Sequence, residues 1–258
     1  MKQIWNSFLI SFSMYSKIPM PKCDWSKENM CYVMCFFPLV GVAIGGISYL
    51  WGYYGSLLPI GDSLHRIVML LIPVIVTGGI HLDGLLDTAD ALGSHQEKER
   101  KLEILKDSHA GAFAIITAVI YFLLYYGIYM ELSISSLPIV CLGFVTSRAL
   151  SGFAIGTFPM AKGTGLAAIF SDGAGQFTVR LTNGIIACLT GILMCCINPV
   201  LGGFAIAGTV LTLAYYYHMS KLQFGGITGD LAGYFLMLCE LAIAGSMVIG
   251  EIMIRSYL

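Results

Sequence analysis

Charged residues are scarce in this chain of 258 residues. Only 11% of them are Asp, Glu, Lys or Arg, against 57% that are hydrophobic, whereas a soluble domain carries about 25% charged residues. This scarcity excludes an ordinary soluble domain. It predicts an all-α, polytopic integral membrane protein, with residues 1–258 forming a single domain in contact with lipid. The net charge of -1 gives no sign of a nucleic-acid partner.

Two other features are missing, a zinc-binding cysteine pattern and a cleavable leader. None of the eight cysteines forms a C-x-x-C pair, and no histidine is spaced to complete a zinc site, so we expect small apolar side chains in a reducing compartment. Asn6, Ser7 and Ser11 interrupt the first apolar region, and no small-x-small cleavage site follows it. We expect instead an N-terminal interfacial helix, with Lys2 and Trp5 near the lipid headgroups.

Seven apolar runs are candidates for transmembrane helices. They occupy residues 31–56, 64–80, 110–130, 137–158, 183–197, 200–217 and 231–250. With this layout, eleven of the fourteen Lys and Arg residues fall on the side of the N-terminus, two fall on the opposite side, and Arg148 lies inside a span. Positive residues accumulate on the cytoplasmic side. We therefore expect about seven spans in the cell inner membrane, with the N-terminus and the active site at the cytoplasmic face.

A segment from Thr77 to Gly93 carries three carboxylates and contains no Lys or Arg. Asp83, Asp87 and Asp90 stand at positions i, i+4 and i+7, which share one face of a helix. Three like charges so close repel one another unless a cation lies among them, and oxygen ligands of this kind suit Mg²⁺. We predict that these aspartates bind Mg²⁺ beside a diphosphate; the alternative is a solvated amphipathic helix.

Further polar residues on the same side could bind phosphate. Lys106, Ser108 and His109 precede Gly111 at the start of an apolar run, and a helix N-terminus there would suit a phosphate. The alternative is a capping residue beside a lysine that obeys the positive-inside rule. Lys162 lies in a loop of small residues that could grip a phosphate or have no binding role.

Two residues near or within the spans allow two interpretations each. Arg148 lies in mid-span, where an unpaired guanidinium costs at least about 2.5 kcal/mol. It should pair with a substrate phosphate or, as a structural alternative, with Glu240. His81 precedes the aspartates, either as an acid–base group or phosphate ligand or as a packed side chain.

The pattern Gly-Gly-Ile-x-x-Asp occurs twice, at residues 78–83 and 225–230. Glycines at a membrane boundary free the backbone to bend and to approach a ligand closely. Asp230 is a candidate base or second metal ligand, with helix capping as the alternative, and Thr228 is a candidate substrate contact. Six residues are too few to establish an internal repeat. In the first span, Gly41-x-x-x-Gly45 allows close helix packing.

The combination favours phosphoryl transfer by a membrane enzyme, in which Mg²⁺ bridges diphosphate oxygens while a carboxylate or histidine takes the proton from an attacking hydroxyl. The alternative from a different class is a divalent-cation transporter. A transporter should carry polar groups near the bilayer midplane and on both sides. Here only Arg148, Glu240 and a few hydroxyls qualify.

The motif set resembles the cobalamin synthase family, the adenosylcobinamide-GDP ribazoletransferases. The resemblance is carried by His81-Leu-Asp-Gly-Leu-Leu-Asp-Thr-Ala-Asp90, Lys106-Asp-Ser-x-x-Gly111 and Gly225-Gly-Ile-Thr-Gly-Asp230. Lys17-Ile-Pro-Met-Pro21, Phe37-Pro-Leu-Val-Gly41 and Gly163-x-Gly165 also fit the pattern, so the resemblance spans nearly the whole chain.

The resemblance implies an inner-membrane enzyme that requires Mg²⁺. It would join α-ribazole, or its 5′-phosphate, to adenosylcobinamide-GDP and release GMP. By matching position, Asp83, Asp87 and Asp90 would hold the metal, with Lys106 and Asp107 beside the phosphates. The candidate catalytic residues are then Asp83 and Asp107 together with His81 and Asp230, and a homo-oligomer is compatible with the sequence.

Two departures from the family pattern and two rival enzyme classes complete the comparison. His109 stands where an arginine is common, which puts the phosphate role of that position in doubt, and Ala91 stands where glycine is common. The rivals are a prenyl-diphosphate transferase and a CDP-alcohol-type phosphotransferase. The latter carries Ala-Arg after its first Asp-Gly, whereas Leu85-Leu86 follows Asp83-Gly84 here.

Overall fold

Helices make up most of the chain, as the all-α prediction requires. The computed structural model describes residues 2–107, 109–161 and 175–257. Two predicted substrate-binding residues, Ser108 and Lys162, lie outside the described residues. Within the described ranges the chain forms eleven α-helices: α1 (Lys2–Tyr15), α2 (Lys27–Met30), α3 (Val33–Tyr54), α4 (Asp62–Thr77), α5 (Ile80–Gly93), α6 (Lys98–Ile104), α7 (Ala112–Glu131), α8 (Leu137–Ile155), α9 (Gln176–Ile197), α10 (Pro199–Phe224) and α11 (Gly229–Tyr257).

The number of spans agrees with the prediction of about seven. In the part of the chain that the structure describes, six helices are long and apolar enough to cross a membrane, namely α3, α7, α8, α9, α10 and α11. The bent pair α4–α5 would supply the seventh. Two predicted spans were too short, because α9 begins at Gln176 and α10 ends at Phe224. The N-terminal helix α1 also forms and buries Ile10 and Phe12 against the bundle; its interfacial placement stays a prediction.

The predicted close packing at Gly41-x-x-x-Gly45 is confirmed. A methyl group on Gly45 would lie 2.6 Å from the carbonyl oxygen of Cys141, and one on Gly41 would overlap the carbonyl of Phe144. Both carbonyls belong to α8. The two glycines therefore let α3 and α8 pack backbone against backbone, which is how small residues hold membrane helices together.

Two glycines make the turn between α4 and α5. Gly78 and Gly79 have φ angles of 66° and 82°, in the left-handed region that is open to glycine and strained for other residues. The axes of α4 and α5 consequently differ by 94°. Helix α5 therefore leaves the direction of α4 and packs against α7 and α11. We call the end of the bundle that carries Asp83, on α5, and Asp230, at the start of α11, the aspartate end.

The second Gly-Gly pair stands between α10 and α11. Gly225 and Gly226 have φ angles of 79° and 159°, so both copies of the motif place positive-φ glycines between a helix that ends and a helix that begins. Ile227 exchanges backbone hydrogen bonds with the turn after α8, donating to the Pro159 carbonyl at 2.8 Å and accepting from Ala161 at 3.0 Å. The chain is thereby fixed in position immediately before Asp230.

Helices α5 and α11 pack with very little space between their backbones. A methyl group on Gly84 would lie 2.6 Å from the backbone oxygen of Asp230, and one on Gly233 would lie 3.3 Å from the backbone of His81. Any larger side chain at Gly84 must push the helices apart. This contact places the aspartates of α5 beside Asp230.

A buried ion pair joins α8 to α11. Nη1 of Arg148 donates to Oε1 of Glu240 at 2.7 Å and to the Phe144 carbonyl at 2.8 Å. Ser147 donates a further hydrogen bond to Glu240 at 3.2 Å. Arg148 is 0% exposed and Glu240 is 3% exposed. The guanidinium is enclosed and paired, as the structural alternative requires, and a contact of Arg148 with a substrate phosphate stays a prediction.

We expect Glu240→Ala to destabilise the protein by about 3–5 kcal/mol, because it leaves the Arg148 guanidinium buried without its counter-charge. The double variant Arg148→Met, Glu240→Ala should recover much of this loss. Thermal unfolding of the purified protein in detergent measures both. Glu131→Ala, at the exposed end of α7, is the control. A double variant no more stable than Glu240→Ala alone would contradict a paired role.

We expect Gly84→Ala to impair function more than insertion, because the added methyl group forces α5 away from α11 and separates the aspartates from Asp230. The amount of folded protein in the membrane should stay close to normal. The affinity for a ligand bound at the aspartate end should fall at least several-fold. Gly127→Ala is a matched control, since a methyl group there meets open space. Equal behaviour of the two variants would show that the close approach has no functional role.

Candidate active site

A cavity of about 160 Å³ opens at the aspartate end, between α1, α3, α5, α8 and α11. Asp83 and Asp230 stand on its outer side, where Asp83 is exposed and Asp230 is half-buried. Its other walls are mostly apolar: Met14, Tyr15, Met34, Phe37, Ile80, His81, Ser151, Ile155, Gly229, Ala232 and Gly233. The cavity is thus a mainly apolar recess with carboxylates at its mouth.

The aspartates of α5 lie close enough to one another to interact electrostatically. Partial burial, together with the nearby carboxylates of Asp83, Asp230 and Asp90, raises the pKa of Asp87 to about 6. A carboxylate whose neighbours are also acidic is more stable when a cation neutralises the group. The predicted concentration of negative charge on one face of α5 is therefore present, and Asp230 adds to it from α11.

Asp90 has a different environment from the other aspartates. Its Oδ2 accepts a hydrogen bond from the backbone N–H of Gly111 at 2.5 Å, and its Oδ1 accepts one from Ala114 at 2.8 Å. Both donors lie at the start of α7, where the helix itself supplies no acceptor for its N–H groups, so Asp90 caps that helix from α5. Each oxygen of Asp90 thus accepts one hydrogen bond and keeps a further lone pair, and its role as a metal ligand stays a prediction.

The carboxylates at the mouth of the cavity and beside it fit Mg²⁺ in one specific way. Among the described residues, no group of three or more His, Cys, Asp or Glu side chains is arranged to hold a metal by itself. Mg²⁺ usually keeps several waters and binds through one or two carboxylates together with substrate phosphates. Asp83 and Asp87, with Asp230 nearby, supply the one or two carboxylates that such a site needs. The remaining ligands would be substrate phosphates and water.

His81 separates the cavity from the buried ion pair. Its side chain lines both the 160 Å³ cavity and a smaller internal void of about 10 Å³ that Arg148 and Glu240 also line. The imidazole is 5% exposed and packs near Tyr15 and Phe37, with ring centroids 6.1 and 5.7 Å away. Its Nε2 has no hydrogen-bond partner in the described structure. The imidazole of His81 is therefore packed into the wall of the cavity. Its acid–base role stays a prediction.

The loop before α7 is tied to α5, and its described residues do not line the cavity. Its attachment is the Gly111–Asp90 hydrogen bond. Asp107 accepts hydrogen bonds from the backbone N–H of His109 at 3.0 Å and from its ring Nδ1 at 2.7 Å. The hydrogen bonds from His109 lower the pKa of Asp107 below its ordinary value. Lys106 is exposed; it and the other described residues of the loop would contact only the part of a ligand that extends beyond the cavity.

Thr228 serves the helix as well as the site. Its Oγ1 accepts a hydrogen bond from the backbone N–H of Leu231 at 3.2 Å, which caps the start of α11. The predicted substrate contact of Thr228 stays a prediction, whereas Asp230 follows directly at the mouth of the cavity.

Sequence reasoning missed the residues that give the cavity its walls. Tyr15 and Ser151 carry no motif of their own, since aromatic and hydroxyl residues are common in membrane helices, and Phe37 was noted only as the first residue of a segment that fits the family pattern. Lys17 was also missed as part of the site. Its side chain packs over Gly78, and its backbone N–H donates to the Val76 carbonyl at 2.7 Å, so a lysine stands beside the turn into α5.

Comparison with known proteins identifies the family of this chain. The family described as Cobalamin-5-phosphate synthase matches residues 7–248. An adenosylcobinamide-GDP ribazoletransferase of Lachnoclostridium phytofermentans is 46% identical over 246 residues, which cover 95% of this chain and 94% of that protein. The enzymes of the same name from Clostridium perfringens strain 13 (32% identical, 98% and 100% covered) and Desulfitobacterium hafniense (35% identical, 93% and 94% covered) are also similar.

No solved structure matches the chain significantly, so the fold rests on the helices described above. The family match includes every described residue of the candidate site, from Met14 in α1 to Gly233 in α11. With nearly complete coverage of both partners and up to 46% identity among these relatives, this chain belongs to the cobalamin-5-phosphate synthase family.

Proposed function

We propose that this protein is an adenosylcobinamide-GDP ribazoletransferase, which joins α-ribazole, or its 5′-phosphate, to adenosylcobinamide-GDP and releases GMP. Its similarity over nearly the whole length to enzymes of that name supports the proposal. The structural observation that carries it is the pairing of a mainly apolar cavity with carboxylates at its mouth. Neither the CDP-alcohol phosphotransferase nor the cation transporter is favoured by these comparisons.

The reaction is a substitution at phosphorus. The ribose 3′-hydroxyl of α-ribazole attacks the phosphorus nearest the cobinamide, a new P–O bond forms, and the bond to the bridging oxygen breaks. GMP leaves with the electron pair of that bond, and the hydroxyl proton passes to a base. The protein must therefore bring a hydroxyl, a phosphorus and a base together, and must stabilise negative charge on the leaving group.

Asp230 is the residue we assign as the base. It lies at the mouth of the cavity beside Asp83, and the cap of α11 and the bridge at Ile227 hold its backbone in place. His81, behind it in the wall, is the alternative acceptor among the predicted catalytic residues.

Asp83 and Asp87 are the residues that would hold Mg²⁺. When bound, the ion would supply charge neutralisation at the diphosphate oxygens and orient the phosphorus for attack. Asp90 supports this pair indirectly, because its hydrogen bonds to Gly111 and Ala114 fix the far end of α5 against α7.

Basic residues at the aspartate end would contact the phosphates beyond the metal ligands. Lys17 lies beside the start of α5, and the loop containing Lys106 is tied to its far end. A lysine at each end of α5 suits an extended diphosphate whose guanosine projects from the cavity. The exposed Asp107 holds His109 in place, so we assign it a role in shaping this loop.

We further propose that the aspartate end faces the cytoplasm from the cell inner membrane. The support is the distribution of basic residues, eleven on that side and two on the other, together with the positive-inside rule. Nucleotide substrates are made in the cytosol, so a site on this side would meet them directly.

We expect Asp83→Asn to lower turnover by roughly 10²–10³-fold and to raise the Mg²⁺ concentration required for half-maximal rate. The assay mixes membranes that contain the protein with adenosylcobinamide-GDP, α-ribazole and Mg²⁺, and measures GMP release. Chelation of divalent ions should abolish the normal activity, and added Mg²⁺ should restore it. Asp62→Asn, at the opposite end of the bundle, is the matched control. Full activity of Asp83→Asn would remove Asp83 from the site.

We expect a cysteine placed at Gln96 to react with a membrane-impermeant maleimide only after the cells are permeabilised. A cysteine at Ser56, in the opposite connection, should react in intact cells. Both positions are exposed, and the unsubstituted protein gives the background from its eight natural cysteines. The reverse labelling pattern would show that the aspartate end faces outward.

A further inference from the structure

The cavity at the aspartate end has a built aromatic interior. The rings of Tyr15 and Phe37 lie 4.3 Å apart between centroids, with an interplanar angle of 41°, and His81 packs beside both. Met34 and Ile155 complete the apolar wall. Aromatic rings and the soft, adaptable side chain of methionine form favourable contacts with a flat aromatic ligand.

The volume of the cavity limits what it can hold. It measures about 160 Å³, whereas pockets for drug-sized ligands run to about 300–1,000 Å³. An apolar cavity of about 150 Å³ is known to bind benzene. A corrin macrocycle or a whole nucleotide therefore cannot enter, but one small aromatic ring system, part of it at the open mouth, can.

The polarity of the walls selects among the ring systems of the two substrates. Guanine carries several donors and acceptors on its edges, and each one buried without a partner loses its hydrogen bonds to water. The 5,6-dimethylbenzimidazole of α-ribazole has no exocyclic polar group and two methyl groups. Its free ring nitrogen needs a single donor, which the hydroxyl of Ser151 or the ring of His81 can supply, since both line the cavity.

We propose that this cavity binds the dimethylbenzimidazole base of α-ribazole, an inference that rests on the proposed function. The base occupies the apolar interior, in contact with the rings of Tyr15 and Phe37 and the side chain of Ile155. The attached ribose then lies at the mouth, where Asp83 and Asp230 stand. The apolar recess orients the nucleophile, while the diphosphate substrate binds outside it, along α5.

The first test compares two isoleucine truncations in the same helix. Ile155 lines the cavity, whereas Ile139 is buried near the other end of α8. We expect Ile155→Ala to raise KM for α-ribazole on the order of ten-fold through lost apolar contact and to leave KM for adenosylcobinamide-GDP unchanged. Ile139→Ala should change neither KM. A rise in KM for adenosylcobinamide-GDP alone would overturn the proposal. So would the absence of any change in either KM of Ile155→Ala.

The second test changes the base as well as the cavity. Ala232 lines the recess, and Ala232→Val narrows it. We expect this variant to lose activity with α-ribazole more than with the riboside of unmethylated benzimidazole, so that the preference between the two bases shifts at least several-fold. A structural defect would reduce both activities equally, and that result would contradict the assignment.

Binding without turnover separates this proposal from the proposed function. Equilibrium dialysis of α-ribazole against the purified protein in detergent should show binding that weakens in Ile155→Ala and persists in Ile139→Ala. If that pattern appears while no GMP is ever released, the base site stands and the reaction is wrong. If GMP is released but binding is insensitive to Ile155→Ala, the reaction stands and the base site is wrong.

Discussion

The turn at Gly78 and Gly79 is the constraint on which the site depends. Their left-handed φ angles redirect the chain by 94°, so that α5 leaves the direction of α4 and packs against α11. Without this turn, α5 would continue along the axis of α4 and would not bring its aspartates beside Asp230. Because the chain turns instead, Asp83 stays exposed while Gly84 packs against α11.

The arrangement divides the substrates by polarity. Charge concentrates on the accessible side of α5 and at the start of α11, where partial burial and neighbouring carboxylates already disfavour full ionisation of Asp87. Apolar and aromatic side chains from α1, α3 and α8 form the recess behind it. A reaction between a nucleoside with an apolar base and a diphosphate needs this separation, because one reactant must be held by contact and the other by charge.

Much of this architecture could be predicted from the sequence, and the reasons are physical. Apolar runs and the asymmetry of basic residues identified the spans, since a bilayer demands length and penalises charge. The Arg148–Glu240 pair was one of two stated alternatives, because a buried guanidinium needs a counter-charge. The capping role of Asp90 could not be predicted, because it depends on where the loop before α7 returns. Tyr15 and Phe37 were missed because apolar composition is uniform across membrane helices.

The buried ion pair has a consequence for how the chain is assembled. Arg148 enters the membrane with α8, and its partner Glu240 follows 92 residues later in the final helix. Until α11 is made, Arg148 lacks the carboxylate that it pairs with in the folded chain, so the buried ion pair can form only after the last helix has been added. Since α11 also carries Asp230, the helix that completes the ion pair is the same helix that completes the chemical site.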